Sequence, residues 1–155
     1  MKTNIGDIVF IKNKSLISLI IIYFTKNWSH VMGIINYNKD CIEATYPKVR
    51  QESINVYKRC KYAILTPKIP LSDEEKFLFV NFMVSKLGKK YDWRGIVSFF
   101  IKSKWQNKNW YFCSELILEA YRHIGRELIR KEIEWTTPQD LYQSTELKII
   151  EEGML

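Results

Sequence analysis

The chain has 155 residues, 46% of them hydrophobic, 14% aromatic and 26% charged, which excludes a disordered chain and is enough to fill one continuous core. Residues 1–155 are therefore expected to fold as a single domain. A formal net charge of +7 favours anionic surfaces, but the lysines are scattered singly or in short groups without interleaved stacking aromatics, so nucleic acid is not an expected partner.

In chain order, Gly6-Asp7 reads as a turn into a short buried strand, Ile8 to Ile11. Ser15 to Phe24 predicts a helix capped by Ser15. Its apolar run, Leu16 to Phe24, is roughly half the ~20 residues a membrane-spanning helix needs. No small-residue cleavage site follows it, so neither a signal peptide nor a transmembrane helix is predicted, and a cytoplasmic location is expected. Val31 to Asn36 and Cys41 to Thr45, joined by the turn-forming Tyr37-Asn38-Lys39-Asp40, predict an antiparallel hairpin. Val49 to Val56 and Tyr62 to Thr66 read as further extended segments.

Helices follow. Ser72 and Glu75 have the spacing of a capping box, predicting a helix to Leu87 with Phe77, Val80, Val84 and Leu87 inward and Gly88 as its stop. A second helix is predicted to begin at or just after Cys113, to bury Leu116, Ile117, Ala120, Tyr121 and Ile124, and to stop at Gly125. Thr137-Pro138 opens a short third helix, and Leu147 to Ile150 closes the chain as a strand. A small antiparallel sheet flanked by helices is an α+β fold.

The three cysteines, Cys41, Cys60 and Cys113, lack the close spacing of a zinc or redox site. Buried free thiols in a reducing compartment are the expected state, with a Cys41 to Cys60 bridge as the alternative. Cys113 is set apart by its predicted position at a helix start, where unpaired amides lower a thiol pKa and can receive an oxyanion. The chain holds only two histidines that could activate it. His123 lies ten positions further along the same predicted helix, roughly 15 Å up its axis, which leaves His30 at the head of a strand. Glu43, on the strand beside it, can orient an imidazole, although an outward-facing strand residue reads equally well.

At these residues the chain resembles the permuted papain-like amidases, a circularly permuted branch of the superfamily containing the NlpC-type cell-wall hydrolases. The resemblance rests on Gly6-Asp7-Ile8-Val9-Phe10, Ser29-His30-Val31-Met32-Gly33-Ile34, Ile42-Glu43-Ala44 and Phe112-Cys113-Ser114-Glu115-Leu116. Gly88-Lys89-Lys90-Tyr91-Asp92-Trp93 and Thr137-Pro138-Gln139-Asp140-Leu141 extend it over nearly the whole chain. Met32, between Val31 and Gly33, departs from the commoner pattern. The resemblance implies a permuted papain-like fold, a sheet or barrel packed on helices, and cleavage of an amide in a small peptide or cell-wall-type fragment. It implies Cys113 as nucleophile, His30 as base and then acid, Glu43 as its orienting partner, and Tyr91 as a substrate-positioning residue. It requires no metal or organic cofactor. Acyl-lipid transfer or thioester hydrolysis, with peripheral membrane contact through Leu16 to Phe24, is the alternative within the superfamily. An inactive binding module is the alternative outside it.

Overall fold

The computed structural model describes residues 3–12, 27–91, 110–130, 132–133 and 136–155. The predicted helix from Ser15 to Phe24 and the Asp92-Trp93 end of the tyrosine motif lie outside them. Among the described residues, six strands form an antiparallel sheet: β1 (Ile8–Lys12), β2 (His30–Ile34), β3 (Asp40–Ala44), β4 (Val49–Ser53), β5 (Lys61–Pro67) and β8 (Leu147–Met154). Their spatial order is β4-β3-β2-β1-β5-β8. Two short parallel strands, β6 (Lys90–Tyr91) and β7 (Trp110–Tyr111), form a second pair, which an antiparallel bridge from Lys90 to Lys48 joins to the chain just before β4. The helices are α1 (Asp73–Ser85), α2 (Cys113–His123) and α3 (Pro138–Tyr142).

Side chains alternate across the sheet, and the two faces bury different clusters. Ile8, Phe10, Val31, Ile42, Ala63 and Leu65 join the helices in the larger core. Val9, Ile11, Met32, Ile34, Cys41 and Ile64 form a second cluster with Ile54. Met32 causes no slip, since β2 pairs with β1 without interruption from Gly33 opposite Ile8 to His30 opposite Ile11.

Sheet and helices pack closely at Gly33. A methyl group there would lie 3.0 Å from both Met83 and Phe79 and 3.1 Å from Ile117, so these side chains would have to give by a few tenths of an ångström to admit anything larger than glycine between α1, α2 and β2. This seam corrects the predicted inward face of α1. Phe79 and Met83 are fully buried, whereas Phe77, Val84 and Leu87 are exposed and Val80 only partly covered. The helix carries apolar residues nearly all round, so its period does not select a face, and the contact with Gly33 does. Burying Phe79 and Met83 contributes about 2 kcal/mol each.

The helix boundaries follow their caps. Ser72 and Glu75 form the capping box of α1, and Thr137 with Asp140 forms that of α3. Gly88 (φ +81°) and Gly125 (φ +78°) adopt the left-handed conformation after α1 and α2. The extended segment predicted from Val49 to Val56 divides: β4 ends at Ser53, whose hydroxyl caps a 3-10 turn over Ile54–Val56. The last strand runs four residues beyond its predicted end at Ile150, to Met154. All three cysteines are free, with Cys41 and Cys113 buried as expected but Cys60 only partly so.

Candidate active site

Cys113 is the first residue of α2. The preceding Phe112 is extended, and its amide donates to the Glu115 carboxylate at 2.8 Å, which fixes where the helix begins. Ser114, fully buried, donates its hydroxyl to the Thr136 carbonyl at 2.5 Å and ties the helix start to the loop before α3. The Cys113 thiol therefore sits among first-turn amides that have no partner within the helix, as a nucleophile with an adjoining anion site requires.

His30 begins β2 and Glu43 lies on β3, where strand alternation puts both on the face of the second cluster. The glutamate is fully buried, not outward-facing. Its Oε2 lies 2.6 Å from His30 Nε2. The Cys113 thiol acts on the same imidazole at close range. With Nε2 turned to Glu43, the nitrogen left for the thiol is Nδ1. Because His30 is the first residue of its strand, the imidazole stands at the sheet's margin, within reach of α2 from the helical layer.

The electrostatics match this geometry. Burial by itself pushes the His30 pKa down, but hydrogen bonds to Cys113 and Glu43, together with the charge on Glu43, outweigh it and raise the imidazole from 6.5 to about 10. Burial pushes the Glu43 carboxyl up, and its bonds to His30, Tyr57 and Arg50 bring it from 4.5 down to about 2. The pair thus favours an imidazolium beside a carboxylate across the neutral range.

Two residues that sequence reasoning did not single out complete the environment of Glu43. The Tyr57 hydroxyl donates to Oε2 at 2.5 Å, and Arg50 Nε donates to Oε1 at 2.8 Å. Arg50 had a legible signal, since it is directly opposite Glu43 in the β3–β4 register. Tyr57 had none, because the 3-10 turn before it is what brings its ring to His30, with centroids 5.7 Å apart. Tyr91, on β6, is buried, with its ring 6.2 Å from that of Phe112, the neighbour of Cys113. His123 ends α2 and stacks on Phe82, away from the thiol.

A cysteine opening a helix, opposed by a strand-borne histidine and a carboxylate on an antiparallel sheet, is the architecture of the papain-like cysteine hydrolases. Here histidine and glutamate precede cysteine in the chain, the reverse of the ordinary order. Residues 2–151 match the permuted papain-like amidase enzymes of the YaeF/YiiX type, and the chain belongs to that family. The family is one of papain-like amidases, with hydrolytic cysteine chemistry. No curated protein matches the sequence. Among solved structures, the crystal structure of metalloprotein yiiX from Escherichia coli has a TM-score of 0.80 at 18% identity, covering 100% of both chains. That likeness is one of fold. Among the described residues, no three His, Cys, Asp or Glu side chains gather where they would hold a metal ion, and no helix is long and apolar enough to cross a membrane.

Proposed function

We infer that this protein is a cysteine hydrolase cleaving an amide bond in a small peptide or cell-wall-type fragment, with Cys113, His30 and Glu43 as its catalytic group. The observation that carries this reading is His30, whose Nε2 lies 2.6 Å from the fully buried Glu43 carboxylate while the Cys113 thiol acts on the same ring at close range. His30 takes the Cys113 proton as the sulfur becomes the attacking nucleophile. The sulfur attacks the acyl carbon, a C–S bond forms, and the carbonyl electrons move onto oxygen, which the Cys113 amide receives. His30 then gives its proton to the departing amine as the C–N bond breaks. Water adds to the resulting thioester while His30 takes its proton, and the carboxylic acid leaves as the thiol re-forms. Glu43 remains a carboxylate throughout and keeps Nε2 turned away from the reacting atoms. Tyr91, beside Phe112, positions the acyl group or donates to the developing oxyanion.

The test is hydrolysis of muropeptides and of acyl lipids by the purified protein and by Cys113→Ala. Amide cleavage lost in the variant supports the reading. Turnover of acyl lipids alone replaces it with the lipid chemistry, and activity surviving in Cys113→Ala removes the cysteine mechanism altogether.

A further inference from the structure

Glu43 takes three donors, and only one of them is the histidine it orients. Tyr57 and Arg50 supply the other two from separate elements: Arg50 from the facing strand, Tyr57 from the end of the 3-10 turn. Tyr57 reaches both members of the pair, with its hydroxyl on Glu43 Oε2 and its ring against the His30 ring at an interplanar angle of 35°. Its own support is local. Ser53 caps the turn, and Ile54 anchors it in the second apolar cluster.

A buried carboxylate with one partner has two ways to lower its energy: it can take up a proton, or it can rotate to find a second donor. Either would release the imidazole. We propose that Tyr57 and Arg50 are positioning residues that hold Glu43 in its charged form and in one orientation, so that His30 is kept with Nε2 toward Glu43 and Nδ1 toward Cys113. The two oxygens have different duties. Oε1 is occupied by Arg50, so Oε2 alone faces the imidazole, and Tyr57 completes the shell of Oε2. Each donor suits a permanent role. Burial first, and then the charge on Glu43, raise the Tyr57 pKa, so its hydroxyl keeps its proton as a donor. Arg50 is a fixed cation, and its Nε engages the carboxylate although 42% of its side chain is open to solvent. This proposal rests on the cysteine-hydrolase reading of the site and names two residues that serve it without touching substrate.

The experiment uses the full chain with carbon-13 in the glutamate carboxyl groups, the Glu43 signal being identified by its loss in Glu43→Gln. Its titration midpoint is followed in wild type, Tyr57→Phe, Arg50→Gln and Arg50→Lys, and iodoacetamide alkylation of Cys113 is timed near neutral pH in the same proteins. Removing a charged or short hydrogen bond should raise the midpoint by about one pH unit in Tyr57→Phe and in Arg50→Gln and slow alkylation about tenfold. Arg50→Lys, which keeps the charge, should fall between Arg50→Gln and wild type. A role confined to stability predicts lower melting temperatures with the midpoint and the alkylation rate both unmoved, and that result overturns the proposal. The two readouts also separate this idea from the one beneath it. Fast wild-type alkylation with unmoved midpoints removes the clamp and leaves the nucleophile. Wild-type Cys113 reacting no faster than Cys60 removes the nucleophile, even where shifted midpoints show the clamp acting on Glu43.

Discussion

Replacing Glu43 by glutamine removes one negative charge from the His30 imidazole while leaving an amide of almost the same shape. The imidazole is raised from 6.5 to about 10, so its surroundings favour the protonated ring. Burial opposes it; the bond to Cys113, the bond to Glu43 and the charges on both support it. Glutamine supplies neither the charge nor a charge-assisted bond, so burial gains ground and the imidazolium should give up its proton at least about one pH unit lower. The ring signals of His30, followed against pH by nuclear magnetic resonance and identified by their loss in His30→Ala, read this directly. Their midpoint should fall from about pH 10 in wild type toward neutrality in Glu43→Gln. A midpoint at the same pH in both proteins would refute the view that Glu43 holds the imidazole charged. Stability carries the same signature. A raised His30 contributes stability fully below pH 6.5 and loses it as pH rises through about 10, while a lowered Glu43 contributes above pH 4.5 and loses it as pH falls through about 2. The stability of wild type measured by chemical denaturation should therefore fall at both ends of this range, and Glu43→Gln should show a flatter dependence.

Three further predictions follow from the packing and the site. Gly33→Ala puts a methyl group 3.0 Å from Phe79 and Met83, and the strain should destabilise the fold by about 1–3 kcal/mol, read as a lower melting temperature; an unchanged melt would mean that the α1–β2 seam has slack. Ser114→Ala removes the buried bond to the Thr136 carbonyl and should cost about 1–2 kcal/mol in denaturant titration, with Cys113 alkylation slowed as the helix start loosens. Tyr91→Phe should lower kcat on a cleaved amide by about tenfold if the hydroxyl serves the oxyanion, whereas a rise in KM alone assigns it to binding.

Much of this arrangement was legible in the sequence because short-range chemistry dictates it. The turn at Tyr37 to Asp40 joins β2 and β3 as neighbours, which brings Glu43 beside His30. Cys113 opens its helix because Phe112 is extended and Glu115 reaches back to it. Other features depend on placement that no local pattern encodes. The helix predicted to Leu87 has Phe77, Val80, Val84 and Leu87 on one stripe, yet α1 ends at Ser85 and turns Phe79 and Met83 inward, where Gly33 leaves space for them. The same applies to Tyr57, whose reach to Glu43 is created by the 3-10 turn that ends β4 early. Arg50 lies between these cases, visible once the β3–β4 register is known and not before.

Accessibility and chemistry make opposite predictions for the three thiols, and this allows a direct test. Cys60 is the most open of them, while Cys41 and Cys113 are buried. Burial, with help from nearby carboxylates, pushes the Cys41 thiol well up. A limiting amount of an electrophilic thiol probe, followed by peptide mass spectrometry near neutral pH, should mark Cys113 first and most completely, and should lose that preference in His30→Ala. Labelling that follows exposure, with Cys60 leading and Cys113 indifferent to the loss of His30, would contradict the claim that this imidazole activates this sulfur.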